Sequence, residues 1–196
     1  MASLWGFFNA RKGENIMERK LNTRTMAYIA LFIAMHILLE YVFNLVPELP
    51  QGGRITLSLL PIFMASYLLG AKEGILVGFL CSLMQFALGL AKFYGPWSVL
   101  LDYIGPLSVV GMAALIKNIK IKETELPLGI IITMILKYII HVLSGALLFA
   151  SYAPANMNPW LYSILYNLPY NLGTMILCFV VFTIIYPRMK KLKPNV

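Results

Sequence analysis

Residues 126–153 read LPLGIIITMILKYIIHVLSGALLFASYA. About 20 apolar residues at a rise of about 1.5 Å each cross the hydrocarbon core of a bilayer, so this stretch is expected to be a membrane-spanning helix. Lys137 and His141 interrupt its apolar run one helical turn apart, which puts them on one face. A charge in hydrocarbon is costly unless it finds a partner, so ionisable residues at this depth are candidates for function. The polar site they belong to is what the rest of the chain has to complete.

The remaining sequence is of the same kind. Of 196 residues, 60% are hydrophobic and 12% charged, against about 25% charged in soluble domains. The chain therefore reads as an all-α integral membrane protein with no room for a soluble catalytic domain. Six transmembrane helices are expected: Thr25–Val46, Leu57–Leu69 (short for a span), Gly74–Ala91, Trp97–Lys117, Pro127–Ala150 and Pro159–Tyr186. Pro47, Pro50 and Gly52-Gly53 break the first connection. Pro96, Pro127 and Pro159 stand where helices begin and a missing N–H does no harm, and Pro187 is expected to end the last. The domains are then a cytoplasmic leader, residues 1–24, a single six-helix membrane domain, 25–186, and a basic cytoplasmic tail, 187–196. The leader carries no cleavable signal by this reading, because the first apolar span is too long and lacks a small-residue cleavage site. Met17 is an alternative start.

Charge placement sets the orientation. The net charge of +8 does not indicate nucleic acid, because the basic residues sit in short loops and tails, the pattern of cytoplasmic segments. With the N-terminus inside, Arg54 and Lys92 fall in outer loops and Lys137 within the membrane, which leaves thirteen of the sixteen Lys and Arg on the cytoplasmic side. Both termini are thus expected inside a bacterial plasma membrane. At helical rise His141 lies roughly 21 Å up from Pro127, while Asp102 lies roughly 8 Å, Tyr162 roughly 5 Å and Asn167 roughly 12 Å below the outer surface. Glu40 sits near the outer end of the first helix. The polar groups of four helices therefore converge on the outer half of the membrane. Helices 2 and 3 add only Ser58, Ser66, Ser82 and Gln85.

These residues suit the binding of a small, flat molecule, polar or cationic, entering from outside. Asp102 accepts hydrogen bonds or pairs with a cation; His141 and Asn167 donate and accept, and Lys137 only donates. Tyr94, Trp97, Tyr103, Phe149, Tyr152, Trp160, Tyr162 and Tyr166 crowd the same level, and aromatic faces bind rings and cations. Simpler roles compete. Trp97, Tyr152 and Trp160 can be interfacial anchors, Asp102 can merely neutralise Lys137, His36 reads as structural, Glu40 can simply reach the interface, and Arg54 and Lys92 read as solvated. Cys81 and Cys178 lie in apolar runs and read as small core residues; no spacing suggests a metal, and no cofactor is expected. An enzyme is disfavoured, since GxSxG, HExxH, Walker A and paired catalytic carboxylates are all missing. A solitary proton-coupled carrier, with His141 and Asp102 as relays, is the rival within transport.

On these residues the chain resembles the substrate-binding S components of energy-coupling factor (ECF) vitamin transporters, most closely the thiamine-specific ones. The resemblance runs from about Leu21 to the end. It is carried by Ala30-Leu-Phe-Ile-Ala34 in helix 1, Gly52-Gly-Arg-Ile-Thr-Leu-Ser-Leu-Leu-Pro61, Leu101-Asp-Tyr103, Lys137-Tyr-Ile-Ile-His141 with Ser144-Gly145, and Tyr162-Ser-Ile-Leu-Tyr-Asn167. It implies a high-affinity thiamine-binding subunit without its own ATPase. A transmembrane coupling protein and two ATPase subunits would supply energy, and the bound vitamin would be released inside as the subunit topples in the lipid. Asp102, Tyr103, Lys137, His141, Phe149, Tyr162, Asn167 and Tyr94 would bind ligand, while Ala30 and Ala34 would dock the coupling protein. Two positions depart from the family: its usual Glu in helix 4 is Asp102, and a stacking Trp near the end of helix 5 is Phe149. A thiamine precursor or another vitamin therefore stays open as ligand.

Overall fold

In a computed structural model of the chain, the structure describes residues 22–43, 49, 52–122 and 124–191. Most of the leader, the last five residues of the tail and much of the first connection lie outside the described residues. The described chain is almost wholly helical: α1 Thr23–Phe43, α2 Leu60–Leu69, α3 Ala71–Ala87, a composite α4 over 96–110, α5 Leu128–Leu148 and α6 Pro159–Lys191. Three of these, α1, α5 and α6, are long and apolar enough to cross a membrane. The core sits where α2, α5 and α6 meet, around the fully buried Ile62, Phe63, Ile130, Met134 and Phe182.

The close approaches follow from small residues. Gly74 and Gly78 lie one turn apart on α3, and a Cβ on Gly74 would stand 2.4 Å from the Gly111 carbonyl while one on Gly78 would stand 2.2 Å from that of Leu107. Small residues at this spacing let helix backbones touch, which is how packing is gained where lipid gives no hydrophobic drive. Ser66 ties the same junction, donating to the Gly111 carbonyl at 2.6 Å and accepting from the Ala114 N–H at 3.0 Å.

The second helix begins at Leu60 rather than Leu57 and the third spans Ala71–Ala87 rather than Gly74–Ala91; three larger differences follow. The expected helix to Lys117 stops at Val110, passes through a 3-10 turn at Ala113–Leu115, and gives way to a β-hairpin, β1 Ile119–Ile121 and β2 Thr124–Leu126. The strand was legible in the alternation of Ile119 and Ile121 with Lys120 and Lys122, a period of two rather than 3.6. Lys122 adopts φ 54°, as the tight turn of a two-residue hairpin requires. Second, α6 does not end at Pro187 but runs through it, and through Pro169, to Lys191. The final turn is held from outside by the buried Met189 and by Lys190, whose Nζ lies 2.6 Å from Glu125 Oε1 of the hairpin. Near Pro169 the Tyr138 hydroxyl donates to the Ile164 carbonyl at 3.1 Å. Third, α4 is interrupted: Pro96–Ser98 is α-helical, Val99–Ile104 is π-helical and Gly105–Val110 is α-helical again.

Candidate functional site

The π-helical turn carries Asp102 and Tyr103. Wider turns of this kind are rare and concentrate at functional sites. Asp102 is fixed there by Ser98, whose hydroxyl donates to Oδ2 at 2.7 Å. Tyr103 packs edge-on against Phe86 at 4.8 Å and its hydroxyl accepts the Lys92 backbone N–H at 2.8 Å.

Across from α4, α5 and α6 form the most extensive helix pair in the fold. Gly145 is the point of closest approach: a Cβ there would stand 2.2 Å from Ser163 Oγ. The contact brings the Asn167 amide onto α5, where Nδ2 donates to the Ser163 carbonyl at 2.8 Å and toward the His141 carbonyl at 3.4 Å. One turn deeper, the Lys137 ammonium donates to Asn171 Oδ1 at 2.9 Å and lies 5.8 Å from the centre of the Tyr170 ring. Lys137 is only 7% exposed and forms no ion pair with Asp102 among the described residues, so the expected alternative of a structural Asp102–Lys137 pair is not what holds either group. Of the three ammonium donors, one is spent on Asn171, which leaves capacity for a further acceptor.

The segment after the first connection, from Gly52, closes the site. Arg54 and Glu40, expected to be solvated or interfacial, instead form an ion pair at 3.1 Å with 10% and 14% of their side chains exposed. Tyr166 donates to the Gly52 carbonyl at 2.9 Å, and the Thr56 N–H donates to Thr174 Oγ1 at 3.2 Å. His36, read from the sequence as structural, is held by two bonds, Nδ1 donating to the Ser58 carbonyl at 2.6 Å and Nε2 accepting from Gln85 at 2.8 Å, and it also lines the cavity that the site encloses. Both cysteines are buried and free, and no cluster able to hold a metal occurs among the described residues.

These elements enclose one cavity of about 210 Å³. Asp102, Tyr103, Lys137, His141, Phe149, Tyr162, Asn167 and Tyr94 all line it, though they come from α4, α5, α6 and a loop. Phe149 and Tyr94 meet edge-to-face at 5.3 Å and 89°; Tyr162 and Tyr166 pair at 5.8 Å. Trp97, Tyr152 and Trp160 are exposed and lie off the cavity, the arrangement of interfacial anchors. Ala30 and Ala34 are exposed on α1, away from the cavity. Sequence reasoning missed Tyr170, Asn171, Arg54 and Lys92. For the first two the signal was present: Ser163, Asn167, Tyr170, Asn171 and Thr174 recur at spacings of three and four, a polar stripe on one helix face. For Arg54 none was, because a basic residue in a loop reads as solvated.

The model of the thiamine transporter protein family (Thia_YuaJ) matches residues 26–194. A relative in Bacillus subtilis (strain 168), the thiamine transporter ThiT, is 32% identical over 176 residues, spanning 83% of this chain and 92% of the relative. Among solved structures, ThiT from Listeria monocytogenes superposes with a TM-score of 0.69 at 19% identity, covering 87% of this chain and 98% of that one, a likeness of fold. With a buried polar cavity, spans long enough for a bilayer and a family match over most of its length, the chain belongs to the thiamine transporter protein family.

Proposed function

We propose that the chain is the thiamine-binding S component of an ECF-type importer in a bacterial plasma membrane. It captures one vitamin molecule in the outer cavity and depends on a coupling protein and two ATPase subunits for energy. The observation that carries the reading is convergence: eight residues singled out from four separate stretches of sequence line a single cavity of mixed aromatic and polar walls. Few fixed polar groups within an aromatic enclosure are what tight small-molecule sites consist of. Asp102 faces the cationic or N–H-bearing part of the ligand and Lys137 an acceptor, while Tyr94, Phe149 and Tyr162 cover its rings. Six membrane segments, α1 to α6, with both termini inside, agree with the basic residues at 117–122 and 188–191, which lie at the end of the bundle opposite the cavity.

The rival, a solitary proton-coupled carrier, separates cleanly by experiment. In proteoliposomes holding only this chain, thiamine accumulates under neither a pH gradient nor ATP; addition of an ECF coupling protein with its ATPases makes uptake ATP-dependent. Accumulation driven by a pH gradient alone would assign the chain to the carrier class.

A further inference from the structure

Ser144 carries a fully buried hydroxyl next to Gly145, the point where α5 and α6 come closest. It is 0% exposed, and its Oγ has no hydrogen-bond partner among the described residues. Hydroxyls inside helices commonly bond the carbonyl one turn back, as Thr133 does to Gly129 and Thr183 to Phe179, each at 2.7 Å. Ser144 makes no such bond. A buried polar group left unpaired keeps its desolvation cost, so its acceptor has to come from another element.

That element is α4. His141, three residues back and on the same face of α5, lies against the Asp102 backbone carbonyl. Pro106, four residues beyond Asp102, has no N–H to offer that carbonyl. The same face brings Ser144 to the π-helical turn, where its hydroxyl faces the Asp102 side chain. The carboxylate has room for it. Oδ2 accepts from Ser98 at 2.7 Å, and a carboxylate offers about four lone-pair sites. Ser98 is itself only 1% exposed. Neither serine lines the cavity, whereas Asp102 does, so both act on the cavity only through the acid.

We propose that Ser144 is a positioning residue: it donates to Asp102 and, with Ser98, clamps the carboxylate between α4 and α5 so that its remaining lone pairs point into the cavity. A carboxylate held by two donors from separate helices loses little freedom when a ligand binds, and affinity gains from order established beforehand. The clamp is a property of the free protein; only its consequence for thiamine rests on the functional reading.

The test uses a feature of the composition. Asp102 is the only aspartate in the chain, so 13C-labelling of aspartate at the side-chain carboxyl gives one signal, read by NMR in detergent without ligand. Ser98→Ala and Ser144→Ala are each expected to shift that signal, and Ser144→Thr, which keeps a hydroxyl, to return it toward the wild-type position. A signal that Ser144→Ala leaves in place overturns the proposal whether or not thiamine binds. A shift that Ser144→Thr fails to reverse belongs to packing and overturns it as well. In titrations with thiamine, Ser144→Ala is expected to lose about three- to tenfold in affinity, the weight of one hydrogen bond, and to lose nothing further in an Asp102→Ala background. Equal losses in both backgrounds would make Ser144 a packing residue and contradict the clamp. Failure of the wild type to bind thiamine would strike the functional reading alone, since the carboxyl signal is read without ligand.

Discussion

Lys137 is the residue on which the site turns, because a cation at that depth must be held. The structure holds it with the Asn171 carbonyl oxygen and the face of Tyr170. Removing the oxygen while keeping the charge is therefore expected to be worse than removing both. Asn171→Leu should lower stability by about 1.5–3 kcal/mol, read from thermal unfolding in detergent, and Lys137→Met in the same background should restore much of it, since an apolar pair of matching shape leaves nothing unsatisfied. The two carboxylates differ in the same way. Asp102 accepts from Ser98 and faces the cavity, whereas Glu40 is committed to Arg54. Asp102→Asn should weaken thiamine binding by about ten- to hundredfold, the loss of one charge-assisted hydrogen bond. Glu40→Gln should do less to affinity and show itself in stability. Normal binding by the Asn variant with lowered stability would make Asp102 a structural group.

At the scale of elements, the α5–α6 contact sets the width of the site. Gly145→Ala places a methyl group 2.2 Å from Ser163 Oγ; overpacking of that kind costs about 1–3 kcal/mol, and because Ser163 carries Asn167, affinity should fall with stability. The hairpin is a second case. The Lys190 ammonium beside Glu125 holds its carboxyl below the usual carboxylate range. A depressed carboxyl contributes stability above its unfolded pKa and loses it as pH falls through the folded one. Protection of 119–126 against hydrogen exchange, taken relative to the intrinsic rate at each pH, should therefore hold at neutral pH and fall only in acid, and Glu125→Gln should abolish the change. These elements also show what a sequence can reveal. The apolar runs and the Lys137–His141 spacing announce helices and a polar site directly. The π-helical turn does not show directly, although Pro106, which has no N–H for the Asp102 carbonyl four residues back, marks where the regular ladder is broken. Pro187 misleads for a related reason: a proline ends a helix only where no neighbour supports the next turn, and here Met189 and Lys190 are supported.

For the whole molecule, the cavity and the small-residue face of α1 lie apart, so the proposed roles of capture and energy coupling can be tested separately. Ala30→Trp with Ala34→Trp is expected to keep thiamine affinity while abolishing ATP-dependent uptake and co-purification with a coupling protein; loss of binding together with folding would mean that this face packs within the chain. The convergence of residues on one cavity was legible because helical rise converts sequence distance into depth. The closure over it by Arg54, Glu40 and Tyr166 was not, since loop residues carry no periodicity from which depth could be read. The central claim, that this cavity takes thiamine without any motor, is tested most directly by titration calorimetry of the purified chain with no nucleotide or partner present. The account predicts one thiamine bound per chain, with binding strongly weakened in Asp102→Asn. Absence of thiamine binding by a folded chain, or binding untouched by that substitution, would contradict it.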